Sequence, residues 1–229
     1  MIKFFSYFRY FFYLAYNWNV GIAWYIIIQE IKGEKKYGIN TTGADELNKL
    51  KKQGIDISHA TIYMPVSYTL LEEIFQQLNN SKTLNPKRLN HFLDIGCGKG
   101  RALCVAVHQD FSKVTGLDFA KDLCEAAKGN LNKTKQKIPA LNYKIINNDA
   151  FYFEIPDDVD CIFFFNPFDE FIMSAVINNI LVSLHDNPRH INIVYVNPLH
   201  KEQFLKAGFT ETWYSKKMKY LEVSILENK

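Results

Sequence analysis

The heptapeptide Asp94-Ile95-Gly96-Cys97-Gly98-Lys99-Gly100 constrains this chain more than any other feature. It follows the short apolar run His91–Ile95 and precedes Arg101–Gln109, in which Leu103, Ala106 and Val107 fall at helical spacing. Alternating glycines allow a tight reversal and let a ligand approach the backbone with no side chain between them. A helix that opens out of such a loop points unpaired N–H groups at that ligand. A strand–loop–helix unit of this kind belongs to a parallel sheet, where each strand needs a helical crossover to reach its neighbour.

The rest of the chain continues the alternation. Val66, Leu70, Leu71, Ile74, Phe75 and Leu78 share a helix face, which Asn79-Asn80-Ser81 and Asn85-Pro86 end. Lys113–Leu117 reads as a second strand, Ala120–Leu131 as a helix and Leu141–Ile146 as a third strand. Cys161–Phe165 is a continuous apolar run, the pattern of a central strand covered on both faces. A helix with Met173, Val176, Ile177, Ile180, Leu181 and Leu184 inward precedes a fifth strand, Ile191–Val196. Gly208-Phe209 opens two final runs, near Thr210–Tyr214 and Tyr220–Leu226. Ser215-Lys216-Lys217 between them is too short for a helical crossover, so these strands are expected to be antiparallel neighbours. The expected fold is α/β: a doubly wound, seven-stranded, mainly parallel sheet with an antiparallel last strand, plus an N-terminal helical segment. Three parts are drawn: an aromatic N-terminal helix over 1–35, a lead-in over 36–65 and a catalytic domain over 66–229.

Ligands on such sheets bind beyond the carboxyl ends of the strands, so the residues just after each strand carry the information. Asp94 would repel a pyrophosphate but suits the ammonium of a bound amino acid. That weighs against a dinucleotide in the loop of Gly96, Cys97, Gly98 and Gly100. Asp118, with Phe119 beside it, stands about 20 residues past the loop, where a carboxylate can accept both hydroxyls of a ribose; a helix N-cap is the rival role. Asp149, followed by Ala150, is placed to accept from an adenine amine, or else to form an Asx turn. In Phe165-Asn166-Pro167-Phe168 the Asn166 oxygen can hold an amine nucleophile, and Phe168 can pack on substrate or on a cationic sulfonium. The plainer role for Asn166-Pro167 is a turn that leaves the strand.

Taken in order, these features resemble the class I, seven-strand S-adenosylmethionine-dependent methyltransferases over residues from about 60 to 229. The resemblance implies S-adenosylmethionine as cofactor. It also implies Asp94 and the glycine loop at its methionine end, Asp118 on the ribose, Asp149 on the adenine, and an antiparallel seventh strand. Asn166-Pro167-Phe168 resembles the Asn-Pro-Pro-Phe motif of amine methyltransferases with one proline missing, which implies a nitrogen acceptor, a protein lysine or a small amine. Tyr37–Gly43, followed by Tyr63-Met64-Pro65, resembles the lead-in of a bacterial group loosely similar to the non-SET protein lysine methyltransferases. There the lead-in folds over the cofactor, with Tyr63 at the methionine end or in a surface turn. Two alternatives stay open at this point: a nicotinamide-dependent oxidoreductase and a catalytically silent module that keeps the fold.

Composition narrows the partners. The net charge of +3 makes no case for nucleic acid. Cys97, Cys104, Cys124 and Cys161 form no CxxC pair and have no histidine at metal-ligand spacing; they read as buried thiols of a cytoplasmic protein, with no metal expected. His200, after the fifth strand, is the one histidine near the expected site, with a surface or capping role as its alternative. Tyr10 to Gln29 holds no charged residue and is about as long as a membrane span, yet Asn17 and Asn19 lie within it. Its Tyr and Trp residues favour an interface. The readings are a helix on the inner face of a membrane or on a partner through residues 1–32, a helix docked on the catalytic domain, or a span.

Overall fold

The computed structural model describes residues 2–17, 19–43, 64–81, 90–217 and 221–228. Tyr63 lies outside the described residues. The elements are helices α1 (Ile2–Asn17), α2 (Val20–Tyr37) and α3 (Tyr68–Ser81), then β1 (His91–Ile95), α4 (Arg101–Val107), β2 (Lys113–Asp118), α5 (Lys121–Lys137) and β3 (Asn142–Asn147). A 3-10 turn (Ala150–Tyr152) leads to β4 (Cys161–Phe165), α6 (Glu170–Asp186), β5 (Asn192–Val196), α7 (Lys201–Lys206), β6 (Thr210–Lys217) and β7 (Leu221–Glu227).

One seven-stranded sheet runs in the order β3-β2-β1-β4-β5-β7-β6. The first five strands are parallel; β7 is antiparallel to both β5 and β6. The winding direction reverses between β1 and β4, so the loops that leave these two strands lie side by side, at the place where open α/β sheets bind ligands.

Both faces of the central strands are covered. Along β1, Phe92 enters one apolar cluster, with Leu71, Ile74 and Phe75 of α3 and Leu103 of α4, and Leu93 enters the opposite one. Along β4, Cys161 and Phe163 face the first cluster while Ile162 and Phe164 face Met173, Val176 and Ile180 of α6. This is why the run Cys161–Phe165 shows no polar alternation.

Four elements differ from the sequence expectation. The first helix is two helices. Asn19 caps α2, its Oδ1 accepting from the Ile22 N–H at 2.8 Å, and the Asn17 amide turns back to the Tyr13 carbonyl at 2.8 Å. The two asparagines thus mark a turn, where a side-chain acceptor competes well with the helix backbone. No helix among the described residues is long and apolar enough to cross a membrane. Helix α5 runs to Lys137, six residues beyond Leu131, because Thr134 is buried and no breaker comes before Pro139. Ser215, Lys216 and Lys217 belong to strand β6, paired with Val223, Glu222 and Leu221, and do not form the connection. Finally, α2 extends to Tyr37 and ends at Gly38, whose φ of 75° is a left-handed C-cap.

Candidate functional site

The glycine loop is pinned to the end of β2: the amides of Gly96 and Cys97 both donate to the Leu117 carbonyl at 2.9 Å, and Gly100 donates to Cys97 at 2.8 Å. Gly96 is required for two reasons. Its φ is +82°, and a Cβ there would lie 2.6 Å from Cβ of Pro167, in the loop after β4. The switch point therefore brings Asp94–Gly100 against Asn166–Phe168 at backbone distance.

Two acids meet beneath the loop. Asp118 is buried and accepts from the Gly98 amide at 2.8 Å and the Ala120 amide at 2.9 Å. Burial raises its carboxyl above the usual range, and the two amides oppose that shift. Asp94 is 3% exposed, and no donor among the described residues reaches its carboxylate. Burial first, and the nearby Asp118 second, push its carboxyl well above the ordinary range. The Cys97 thiol is raised by burial and then by the same two acids. The loop thus contains a buried carboxyl with no hydrogen-bond donor on it among the described residues.

Asp149 is exposed and caps the 3-10 turn, accepting from the Phe151 amide at 2.9 Å, with Ala150 buried behind it. Asn147 ties this edge to β2 through bonds to the carbonyls of Asp118 (3.0 Å) and Phe119 (2.8 Å). Phe119 is half-buried.

On the β4 side, Asn166 has φ +39°, a left-handed conformation that asparagine tolerates. Its Oδ1 accepts from the hydroxyl of Tyr195 at 3.2 Å. Tyr195 is fully buried on β5, and its phenol is pushed up to about 12 by burial, opposed by the His200 backbone amide. Asn166, Pro167 and Phe168 are each half-buried, and Phe168 packs against the α6 face of the core. The His200 side chain makes no capping bond at the start of α7.

In the sequence, Arg101 stands only as the first residue of a helix. In the structure it is 2% exposed and joins the N-terminal segment to the glycine loop. Its guanidinium forks onto Glu30 of α2, with Nη1 to Oε1 at 2.8 Å and Nη2 to Oε2. It also donates to the Val66 carbonyl and the Thr41 hydroxyl, both at 2.8 Å, and lies 4.1 Å over the Tyr68 ring. Glu34, also buried, accepts from the amides of Thr41 and Thr42 and from the Tyr7 hydroxyl. Asn130 of α5 holds the lead-in from the other side, bonding both polar groups of the Asn40 backbone and the Lys99 carbonyl. One sequence signal for this cluster existed. A cation in the first turn of a helix opposes the helix dipole, so Arg101 needed an anion from elsewhere.

The family described as methyltransferase domain matches residues 86–228, which take in every strand of the sheet. This chain belongs to the methyltransferase family. S-adenosylmethionine is the methyl donor of this class I methyltransferase, and the nicotinamide oxidoreductase reading falls. Solved structures agree on the fold. The magnesium protoporphyrin IX methyltransferase of Synechocystis PCC 6803, solved with bound S-adenosylmethionine, superposes at TM-score 0.51 with 14% identity, covering 70% of this chain and 79% of that one. The StiE O-MT superposes at TM-score 0.53 with 10% identity over 71% and 74%. The PH0226 protein of Pyrococcus horikoshii OT3 does so at TM-score 0.50 with 16% identity over 71% and 92%. A search of curated proteins finds no match. The matched domain begins after α3, so the methyltransferase carries α1, α2 and α3 outside it.

Proposed function

We propose that this methyltransferase holds S-adenosylmethionine with its ammonium on Asp94, its ribose on Asp118 and its adenine edge at Asp149, Ala150 and Phe119, and that it methylates a nitrogen presented at Asn166-Pro167-Phe168. The buried Asp94 carboxyl, with no donor among the described residues, carries this reading. Ionising this buried carboxyl without a partner costs several kcal/mol, a cost that a cation arriving from outside would offset. The glycines at 96 and 98, at φ +82° and +52°, keep the approach to that carboxyl free of side chains. Asp118 already turns two amides toward itself, which fixes its orientation before any hydroxyl comes to it.

When bound, the donor would supply a methyl group carried on a sulfonium, which an incoming lone pair takes in line as the neutral thioether leaves. The chain's part is positioning and electrostatics. Tyr195 fixes the rotamer of Asn166 by donating to Oδ1, and an amide oxygen can accept a second hydrogen bond from an acceptor N–H. Pro167 packs against Gly96, which sets the distance between the acceptor loop and the cofactor loop. Holding both reactants in this way can lower the barrier by roughly 7–11 kcal/mol at most.

The test is a transfer assay with methyl-labelled cofactor against fractionated host lysate, followed by mild alkali. Label on nitrogen stays bound; label on a carboxyl ester leaves as methanol and would overturn the nitrogen assignment. Asn166→Ala is expected to lower kcat/KM on the order of a hundredfold while cofactor affinity stays within about threefold.

A further inference from the structure

The α1–α2 hairpin presents an outer surface that its own packing does not use. Its interior is complete: Tyr10 and Leu14 of α1 close on Ala23 and Ile27 of α2, and all four are buried. Outside that small core, Phe8, Phe12, Tyr16, Val20, Trp24 and Tyr25 are exposed, Tyr16 at 91%, Val20 at 65% and Trp24 at 62%. Beside the turn, the Asn17 amide donates to the Tyr13 carbonyl and the Asn19 Oδ1 accepts from the Ile22 amide.

Charge narrows the occupant. Every exposed charged side chain described on the hairpin is a cation: Arg9, Lys32, Lys35 and Lys36. Its two acids, Glu30 and Glu34, are buried and bonded within the protein. Exposed Phe, Tyr and Trp on a hairpin whose own exposed charges are cations (Lys36 also bonded to Glu72 of α3) match the interface of an anionic bilayer, where aromatic rings sit at headgroup depth and Lys or Arg meets the phosphates. A second copy of the same face would set like charges against each other.

We propose that the tip of the α1–α2 hairpin docks this methyltransferase on an anionic lipid bilayer. Glu30 is bound to Arg101, the residue after the glycine loop, so whatever holds the hairpin holds the catalytic domain. The docking surface is independent of the accepting atom proposed above.

Sedimentation of the 229-residue chain with sucrose-loaded vesicles tests this. The chain should pellet with vesicles of phosphatidylcholine and phosphatidylglycerol, several-fold less with phosphatidylcholine alone, and less as salt rises. The triple variant Phe12→Ser, Tyr16→Ser, Trp24→Ser should bind at least about tenfold more weakly, with its circular dichroism and cofactor affinity unchanged. Lys32→Glu with Lys35→Glu should lower binding several-fold at low salt. Three results would overturn the proposal: a wild-type chain that stays in the supernatant, equal binding by the triple variant, or a dimer that the triple substitution dissolves in the absence of vesicle binding.

Discussion

Glu30→Ala should be among the most destabilising substitutions in the protein. The change removes both oxygens that the Arg101 fork grips and one of two acceptors of the Thr42 hydroxyl, at 2.7 Å, leaving it Glu34 at 2.8 Å. Arg101 keeps the Val66 carbonyl, the Thr41 hydroxyl and the face of Tyr68, but its charge, 2% exposed, loses the carboxylate that its guanidinium forks onto. Loss of one partner from a buried pair costs about 3–5 kcal/mol. Two charge-assisted bonds at about 1.5–3 kcal/mol each lead to the same range. In a domain of this size, about 2–4 °C per kcal/mol makes the fall in melting temperature roughly 6–20 °C. Equilibrium urea unfolding, read by circular dichroism, measures the loss directly. The double replacement Glu30→Met with Arg101→Met should recover most of it, since an apolar pair of similar volume needs no compensation. A loss below about 1 kcal/mol for Glu30→Ala would refute the reasoning: the pair would then be solvated, and α2 an appendage of the catalytic domain.

Other expectations concern the loop and its acids. Gly96→Ala meets both a φ of +82° and the Pro167 Cβ at 2.6 Å, so it should cost roughly 2–4 kcal/mol by thermal unfolding; adding Pro167→Gly removes the clash but leaves the backbone strain, and should recover only part. Asp94→Asn should stabilise the cofactor-free protein at neutral pH. The Asp94 carboxyl is raised in the folded state, so the folded protein holds a proton that the unfolded chain releases near pH ~4. The stability this contributes is complete below that pH and is lost as pH rises toward the folded value, so the variant's stability should fall less steeply with pH across that window. In the wild type, an ammonium at Asp94 favours the ionised form, so cofactor binding should release a proton. Titration calorimetry in buffers of different ionisation enthalpy would detect the release, and Asp94→Asn should abolish it.

The sheet could be read from the sequence because each strand is a short run with its own burial signature, and because the acids and asparagines that end these runs sit at the carboxyl edge. Asp94, Asp118 and Asn166 were visible for that reason. The contact between Gly96 and Pro167 was not, since it depends on β1 and β4 being neighbours, which adjacency along the chain does not reveal. Arg101 and Glu30 lie in different helices and meet only in three dimensions; a cation in the first turn of its helix calls for an anion, but the sequence does not say which one. Tyr195 read as one apolar residue of a buried strand, yet its hydroxyl orients Asn166. The break at Asn19 was present as a capping residue, but a 20-residue stretch without charge masked it. The tail of α5 went unread because its sequence is polar and its burial is carried by Asn130 and Thr134, side chains that hydropathy counts as surface.

The central claim is that the loop after β1 binds S-adenosylmethionine through Asp94 and Asp118. Isothermal titration of the purified, folded chain with S-adenosylmethionine and S-adenosylhomocysteine tests it most directly. Both should bind at one site, and a hundredfold excess over Kd should stabilise the protein by about 2.7 kcal/mol, with Asp118→Ala binding markedly more weakly. A folded chain that shows neither heat nor stabilisation with either compound, or an Asp118→Ala variant that binds as well as the wild type, would contradict the account.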